Sequence, residues 1–206
     1  MRRMLLLAAA LMAFVLVGIA SAAKPQTVTI SVARPTVVYG DSVKLTGTVS
    51  NRQASEHVAV LGHQYDATTF TQVDMVTTMA KGAWSYMASP QIQTSYLARW
   101  DAVTSQIVDV KVRPRIRLSL VSRTATRGTF SVAVSGNRPF TGKRVLIERL
   151  TASGPTTVKS VKLSAASSAT LTIRLPSHRA RVRVVMSSSQ AAPGYIAGYS
   201  NVWKSS

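Results

Sequence analysis

The sequence predicts an all-β protein, two tandem β-sandwiches following an N-terminal signal peptide. Three observations carry that expectation. The chain opens with an export-type leader. Beyond it, short segments rich in Val, Thr, Ile, Tyr and Ser alternate apolar with polar residues. Clusters of Gly, Pro, Asn, Asp and Ser separate them, which is the pattern of strands and tight turns. The order of these segments then repeats after about 90 residues, a common size for one sandwich.

The leader has three parts. Met1-Arg2-Arg3-Met4 is a short positive start, Leu5 to Ile19 carries no charge, and Ala20-Ser21-Ala22 offers small residues to a signal peptidase. An apolar run of this length is short for a membrane span, which needs about 20 residues. Cleavage after residue 22 is therefore expected, with no transmembrane span left behind and a secreted or cell-envelope location. Among 206 residues there is no cysteine, so packing and sheet hydrogen bonds must hold the fold without disulfides.

Strands are expected in the first half at Thr27–Ala33, Ser42–Ser50, His57–Gln64, Phe70–Thr77, Trp84–Ala88, Ser95–Trp100 and Gln106–Arg113. In the second half they are expected at Arg117–Ser122, Thr129–Ser135, Arg144–Leu150, Thr157–Leu163, Ala169–Leu175, Arg181–Met186 and Tyr199–Trp203. Alternation sorts their faces. In Val43-Lys44-Leu45-Thr46-Gly47-Thr48-Val49, the residues Val43, Leu45 and Val49 point inward and Lys44, Thr46 and Thr48 outward. In Arg181-Val182-Arg183-Val184 the valines point inward. No stretch of 11 or more residues has helical periodicity. The two lists run parallel, each with a proline after its fifth strand, Pro90 and Pro176. Residues 23–113 and 114–206 are thus expected to form separate sandwiches. Pro114 would stiffen the short join into an end-to-end arrangement.

The first half also resembles a known family. Val37-Val38-Tyr39-Gly40-Asp41-Ser42-Val43-Lys44-Leu45-Thr46-Gly47-Thr48-Val49 is similar to the opening of bacterial immunoglobulin-like repeats. Gly82-Ala83-Trp84-Ser85-Tyr86, Pro90 and Thr94-Ser95-Tyr96-Leu97-Ala98 resemble a later segment of those repeats, and Ser105 to Pro114 their closing strand. The second half lacks the Tyr-Gly-Asp turn and the Thr-x-Tyr pair, so its likeness rests on spacing and order. The resemblance implies immunoglobulin-like sandwiches on a secreted or surface protein, and no catalytic residues. Such modules serve as spacers, stalks, adhesins or accessory binding domains, and fold alone does not choose among these.

Charge separates the halves. Residues 24–112 hold seven basic side chains and six acids (Asp41, Glu56, Asp66, Asp74, Asp101 and Asp109). Residues 113–206 hold sixteen basic side chains and one acid, Glu148, a net +15. Such a field concentrates polyanions and is weakened by salt. Two sets of arginines alternate along strands: Arg113, Arg115 and Arg117, and Arg179, Arg181 and Arg183. At two-residue spacing each set would form a row with a pitch of about 6.5–7 Å. Guanidinium groups offer forks for phosphate or sulfate. Two readings stand: an anion-binding row, or a solvated outer face.

Signs of catalysis are missing. His57 and His63 share one strand parity, but six residues span about 20 Å along a strand, too far for a shared metal. The third histidine, His178, lies apart, the acids form no calcium-type loop, and G-x-S-x-G is absent. No enzyme activity, cofactor or metal is expected. Trp84 and Tyr86 lie on one strand face, where core packing is the first reading and a stacking platform for sugar rings the second. Nucleic-acid readout has no motif, and most aromatics sit away from the basic half. Two functions remain open: a structural or adhesive tandem, or a module whose basic second domain holds an anionic polymer or surface.

Overall fold

The computed structural model describes residues 25–175 and 180–205. The expected signal segment, Pro176, His178 and Arg179 lie outside the described residues. The first sandwich contains β1 (Ser31–Val32), β2 (Thr36–Val38), β3 (Val43–Thr48), β4 (His57–Gln64), β5 (Thr71–Thr77), β6 (Ala83–Ala88), β7 (Thr94–Trp100), β8 (Val103–Thr104) and β9 (Val108–Arg113). The second contains β10 (Arg115–Arg123), β11 (Arg127–Ser135), β12 (Arg144–Thr151), β13 (Gly154–Lys162), β14 (Ser168–Arg174), β15 (Arg181–Met186), the short helix α1 (Ser188–Ala191), β16 (Gly198–Tyr199) and β17 (Trp203–Lys204).

Each half builds two sheets and pairs only within itself. The first has a sheet ordered β1-β3-β6 facing one ordered β2-β9-β7-β4-β5, with β8 on β7. The second has β10-β11-β14 facing β13-β12-β15-β16, with β17 also on β15. Apart from β2, β8 and β17, the order repeats in the second half, and it is the immunoglobulin arrangement of two facing, mainly antiparallel sheets. The fold is therefore all-β, two tandem immunoglobulin-like sandwiches.

The pleat explains the cores. In β3, Val43 and Leu45 are buried while Lys44 is exposed, as the alternation requires. Trp84 on β6 lies opposite Gly47 on β3. A Cβ at Gly47 would stand 2.6 Å from the indole ring, so glycine is needed for the tryptophan to fit. In the second sandwich the buried aromatic sits instead on β11. Phe130 meets the ring of Trp203 edge-on at 5.1 Å.

Two departures from the expected strands have physical causes. β2 follows Pro35 and pairs in parallel with β9, Thr36 opposite Lys111, a contact distant in sequence. The expected final strand, Tyr199–Trp203, is split. The Asn201 side chain accepts from the Leu118 N–H and donates to the Leu118 carbonyl, both at 3.0 Å. This amide takes the place of a ladder partner and interrupts the strand between β16 and β17.

Candidate functional site

The two sandwiches meet without a free linker, since Pro114 alone separates β9 from β10. The Ile196 N–H donates to the Val112 carbonyl at 3.0 Å, and the Gln93 N–H to the Gly194 carbonyl at 3.0 Å. The Tyr195 hydroxyl donates to the Gln91 carbonyl and accepts from the Asn137 N–H, both at 2.6 Å. Burial raises the Tyr195 pKa above that of an ordinary phenol. The Arg138 guanidinium lies 6.0 Å from the Tyr65 ring of the first sandwich and 5.8 Å from the Tyr195 ring of the second. Gly198 is packed so closely that a Cβ would stand 2.8 Å from Pro114. Together these contacts make a packed joint, formed by the lower turns of the first sandwich and the upper turns of the second.

The structure does not bring the two sets of arginines together as free rows. Arg113 donates to the Ala197 carbonyl, and its guanidinium lies 5.4 Å from the Tyr199 ring. The Arg115 Nε donates to the Tyr39 carbonyl at 2.8 Å, and its Nη2 pairs with Asp41 at 2.5 Å. Both side chains are spent on the joint, and only Arg117 of that set is fully exposed. In the other set, Arg183 pairs with Glu148 at 2.8 Å, and its guanidinium lies 5.1 Å from the Tyr199 ring. Arg181 is exposed. The strand alternation placed these side chains on the correct faces, but partners from distant segments claim three of them.

The aromatic pair also divides. Trp84 is 1% exposed, so it presents no ring face to a ligand and belongs to the core. Tyr86 is partly exposed and lines a cleft of about 560 Å³ together with Tyr65, Val73, Met87, Tyr96 and Asn137. Burial pushes the Tyr96 phenol up to about 12. Burial, and then the Asp74 charge, also raise Tyr86. The mouth of the cleft mixes exposed apolar atoms with amides, and Asn137 reaches it from the second sandwich.

His57 and His63 stand at opposite ends of β4, with the His63 ring 5.2 Å from Phe70. Glu56 accepts from the Trp100 indole N–H at 2.9 Å and from the Asn51 amide at 2.8 Å. Those two bonds hold its carboxyl below the usual range. Among the described residues, no three His, Cys, Asp or Glu side chains form a group suited to a metal ion. No helix among the described residues is long and apolar enough to cross a membrane.

Among the described residues, a set of exposed cations lies at the end of the second sandwich away from the joint, and of the arginines expected from the sequence only Arg181 belongs to it. Arg123 and Arg127 flank the β10–β11 turn, Arg174 ends β14, Arg181 begins β15 and Lys204 ends β17. All five are exposed. Arg149, near the end of β12, donates from Nη2 to the Arg174 carbonyl at 2.7 Å and so links the two sheets at this end.

No protein-family model and no curated protein matches the chain. Among solved structures it is similar to a tetra-tandem repeat in the extending region of a large adhesion protein. That likeness has 14% identity and a TM-score of 0.37, and covers 87% of this chain and 49% of the other. It is also similar to bovine butyrophilin, at 11% identity and a TM-score of 0.38, covering 89% of this chain and 100% of the other. A Salmonella alpha-2-macroglobulin mutant gives 12% identity and a TM-score of 0.32, covering 87% of this chain and 14% of the other. Likeness at this level assigns neither a family nor an activity.

Proposed function

We propose that this chain is a non-catalytic structural or adhesive element of an exported bacterial protein, in which two immunoglobulin-like modules act as one stiff unit. The observation that carries this reading is the packed joint. One residue separates the last strand of one module from the first strand of the next, and hydrogen bonds cross on both sides of it. An interface of this kind resists the domain motion expected of modules on a loose linker. The leader at residues 1–22 supports export, and the resemblance of residues 27–114 to bacterial immunoglobulin-like repeats supports a surface role. The test is a distance measurement between spin labels placed on Thr48 and Ser160, one in each module. A single narrow distribution is expected. It should broaden when four Gly-Ser residues are inserted after Pro114. A distribution already broad in the parent chain would overturn the stiff-unit reading.

A second reading concerns the basic module, which we take to bind an anionic polymer. It is favoured by sixteen basic side chains against the single acid Glu148, itself occupied by Arg183. The full chain should be retained on heparin or polyphosphate and elute with salt. Elution at the salt concentration of a neutral protein would defeat this reading.

A further inference from the structure

The two sandwiches differ at the mouth between their edge strands. In the second, β13 and β14 end the two facing sheets. The Lys159 Nζ crosses this mouth and donates to the Thr172 carbonyl at 3.3 Å. In the first, β5 and β6 end the facing sheets, and among the described residues no hydrogen bond joins them. A cleft of about 560 Å³ opens there, lined by Thr71 and Val73 from β5 and by Tyr86 and Met87 from β6. That size falls in the range of about 300–1,000 Å³ that holds small ligands. Alternation along β6 puts Trp84, Tyr86 and Ala88 on the inner face. Trp84 and Ala88 are buried, whereas Tyr86 lies at the mouth and stays partly exposed. On the floor, Gly62 of β4 is directly opposite Tyr96 of β7. A Cβ at Gly62 would stand 3.0 Å from the Val73 Cγ1 and 3.4 Å from the Tyr96 ring, so the bare glycine lets these two side chains close the floor.

The rim of the cleft is polar and is fixed from across the joint. The Tyr195 hydroxyl bonds to the Gln91 carbonyl and to the Asn137 N–H, and both of those residues line the cleft. The Tyr65 N–H donates to the Gln93 carbonyl at 2.8 Å. The Arg138 guanidinium lies 6.0 Å from the Tyr65 ring. A rim held in this way costs a ligand little ordering. Gln64, Asp66 and Asn137 are exposed at the rim, and among the described residues their side chains make no hydrogen bond or ion pair. No Lys, Arg or His lines the cleft, and Asp66 is the one charged residue in its lining.

We propose that this cleft binds a neutral oligosaccharide, with Tyr86 and Tyr65 against the faces of sugar rings and Gln64, Asp66 and Asn137 on their hydroxyls. The proposal rests on the adhesive form of the first reading above and names its ligand. A sugar ring has an apolar face and a rim of hydroxyls. Aromatic bodies set beside amides and a carboxylate complement both. An anionic polymer fits poorly, because it would meet the Asp66 carboxylate and no cation. An added peptide strand fits poorly too. The pairing of β4 with β5 shifts between Val60 and Leu61, leaving Val73 as an extra residue in β5. A bulge of this kind disturbs the row of backbone groups that a new strand would need.

The experiment titrates the full chain with maltohexaose, cellohexaose and tri-N-acetylchitotriose by calorimetry. At least one of these neutral probes should bind with a Kd of about 1 mM or tighter. Tyr86→Ala should weaken that binding on the order of tenfold, while Tyr86→Phe, which keeps the ring, should stay within about threefold of the parent. The double variant Q64A/N137A removes two exposed amides and should cost about fivefold or more. Met79→Ala, which trims an exposed side chain outside the cleft, should change nothing. If Tyr86→Ala fails to fold, Q64A/N137A decides the matter, since those amides hold no part of the fold together. Unchanged binding in Q64A/N137A would place the sugar elsewhere and overturn the site. Heparin should not displace the neutral probe, and displacement would mean that the probe sits among the cations of the second module. No binding of any neutral probe at about 10 mM would overturn the ligand class. A narrow spin-label distribution in that same chain would leave the stiff-unit reading standing.

Discussion

The same end of the two sandwiches carries opposite chemistry. In the first, the β2–β3 turn, the residues after β4 and the β6–β7 connection form the lower end. That end holds Asp41 and Asp66, and it is occupied by the second sandwich through Tyr39, Tyr65, Gln91 and Gln93. In the second, the described residues at the corresponding end include Arg123, Arg127, Arg174, Arg181 and Lys204, all exposed. Apart from β2, β8 and β17, the strand order above both ends is the same. Core positions are constrained by the pleat and by close packing, while turn residues at the ends are not. One fold can therefore present a docking end in one copy and a cationic end in the next.

The difference between the modules is sharpest in how each fills its core, and truncation there has the largest expected effect. Trp84→Ala removes the indole over Gly47 and should cost about 3–5 kcal/mol in the first sandwich; Phe130→Ala should cost a similar amount in the second. Native-state hydrogen exchange would show which amides lose protection. Losses confined to β3 and its neighbours in Trp84→Ala, and to β11 and its neighbours in Phe130→Ala, would establish two separate cores. Equal loss in both modules from either substitution would mean that the joint makes them one cooperative unit.

Alkaline pH should separate the modules next. The Tyr96 phenol ionises at about 12 when folded and near 10 when unfolded. A group whose pKa is raised on folding contributes stability that is fully present below the unfolded value and is lost as pH rises through the folded one. The loss should run from pH 10 to 12 and amount to about 2 kcal/mol, allowing for partial solvent screening. Tyr96→Phe should remove that step, and urea midpoints across this pH range would show it. If the parent and the variant weaken in parallel, Tyr96 is not the cause.

A smaller effect is expected at the joint. Tyr195→Phe leaves the Gln91 carbonyl and the Asn137 N–H without their 2.6 Å partner and should cost about 1–2 kcal/mol. The label-to-label distance between modules should broaden more than either core is destabilised. An unchanged distribution would place the stiffness in Pro114 and the backbone bonds instead.

Much of this architecture was legible in the residues. Two strands, His57–Gln64 and Arg181–Met186, have the expected bounds residue for residue. Other elements depend on contacts that no local pattern encodes. β2 is three residues long and exists through its parallel partner β9. The final strand divides at Asn201 because that side chain bonds to Leu118, far away in sequence. The arginine rows show the same limit. Alternation assigns a face to Arg113, Arg115 and Arg183, but Ala197, Asp41 and Glu148 decide whether the charge is free. The sequence does show that Arg123 and Arg127 flank a turn. It does not show that Arg174, Arg181 and Lys204 arrive at that end, because the topology has to be known first.

The smallest expected effect concerns the one ion pair that crosses the joint among the described residues. Asp41 and Arg115 are 2.5 Å apart, yet their side chains remain 48% and 35% exposed. Water and salt screen such a pair, so Asp41→Asn should cost no more than about 0.5 kcal/mol. Arg115 also keeps its bond from Nε to the Tyr39 carbonyl in that variant. Replacing Arg115 with Met removes both contacts and should cost more than Asp41→Asn does, while changing the net charge by the same amount in the opposite direction. If the two substitutions cost the same, the carboxylate is the dominant partner and the joint is held by charge. If Arg115→Met costs more, as expected, the joint is held by backbone recognition. The acid–base match between the two ends then serves to select the docking partner rather than to stabilise it.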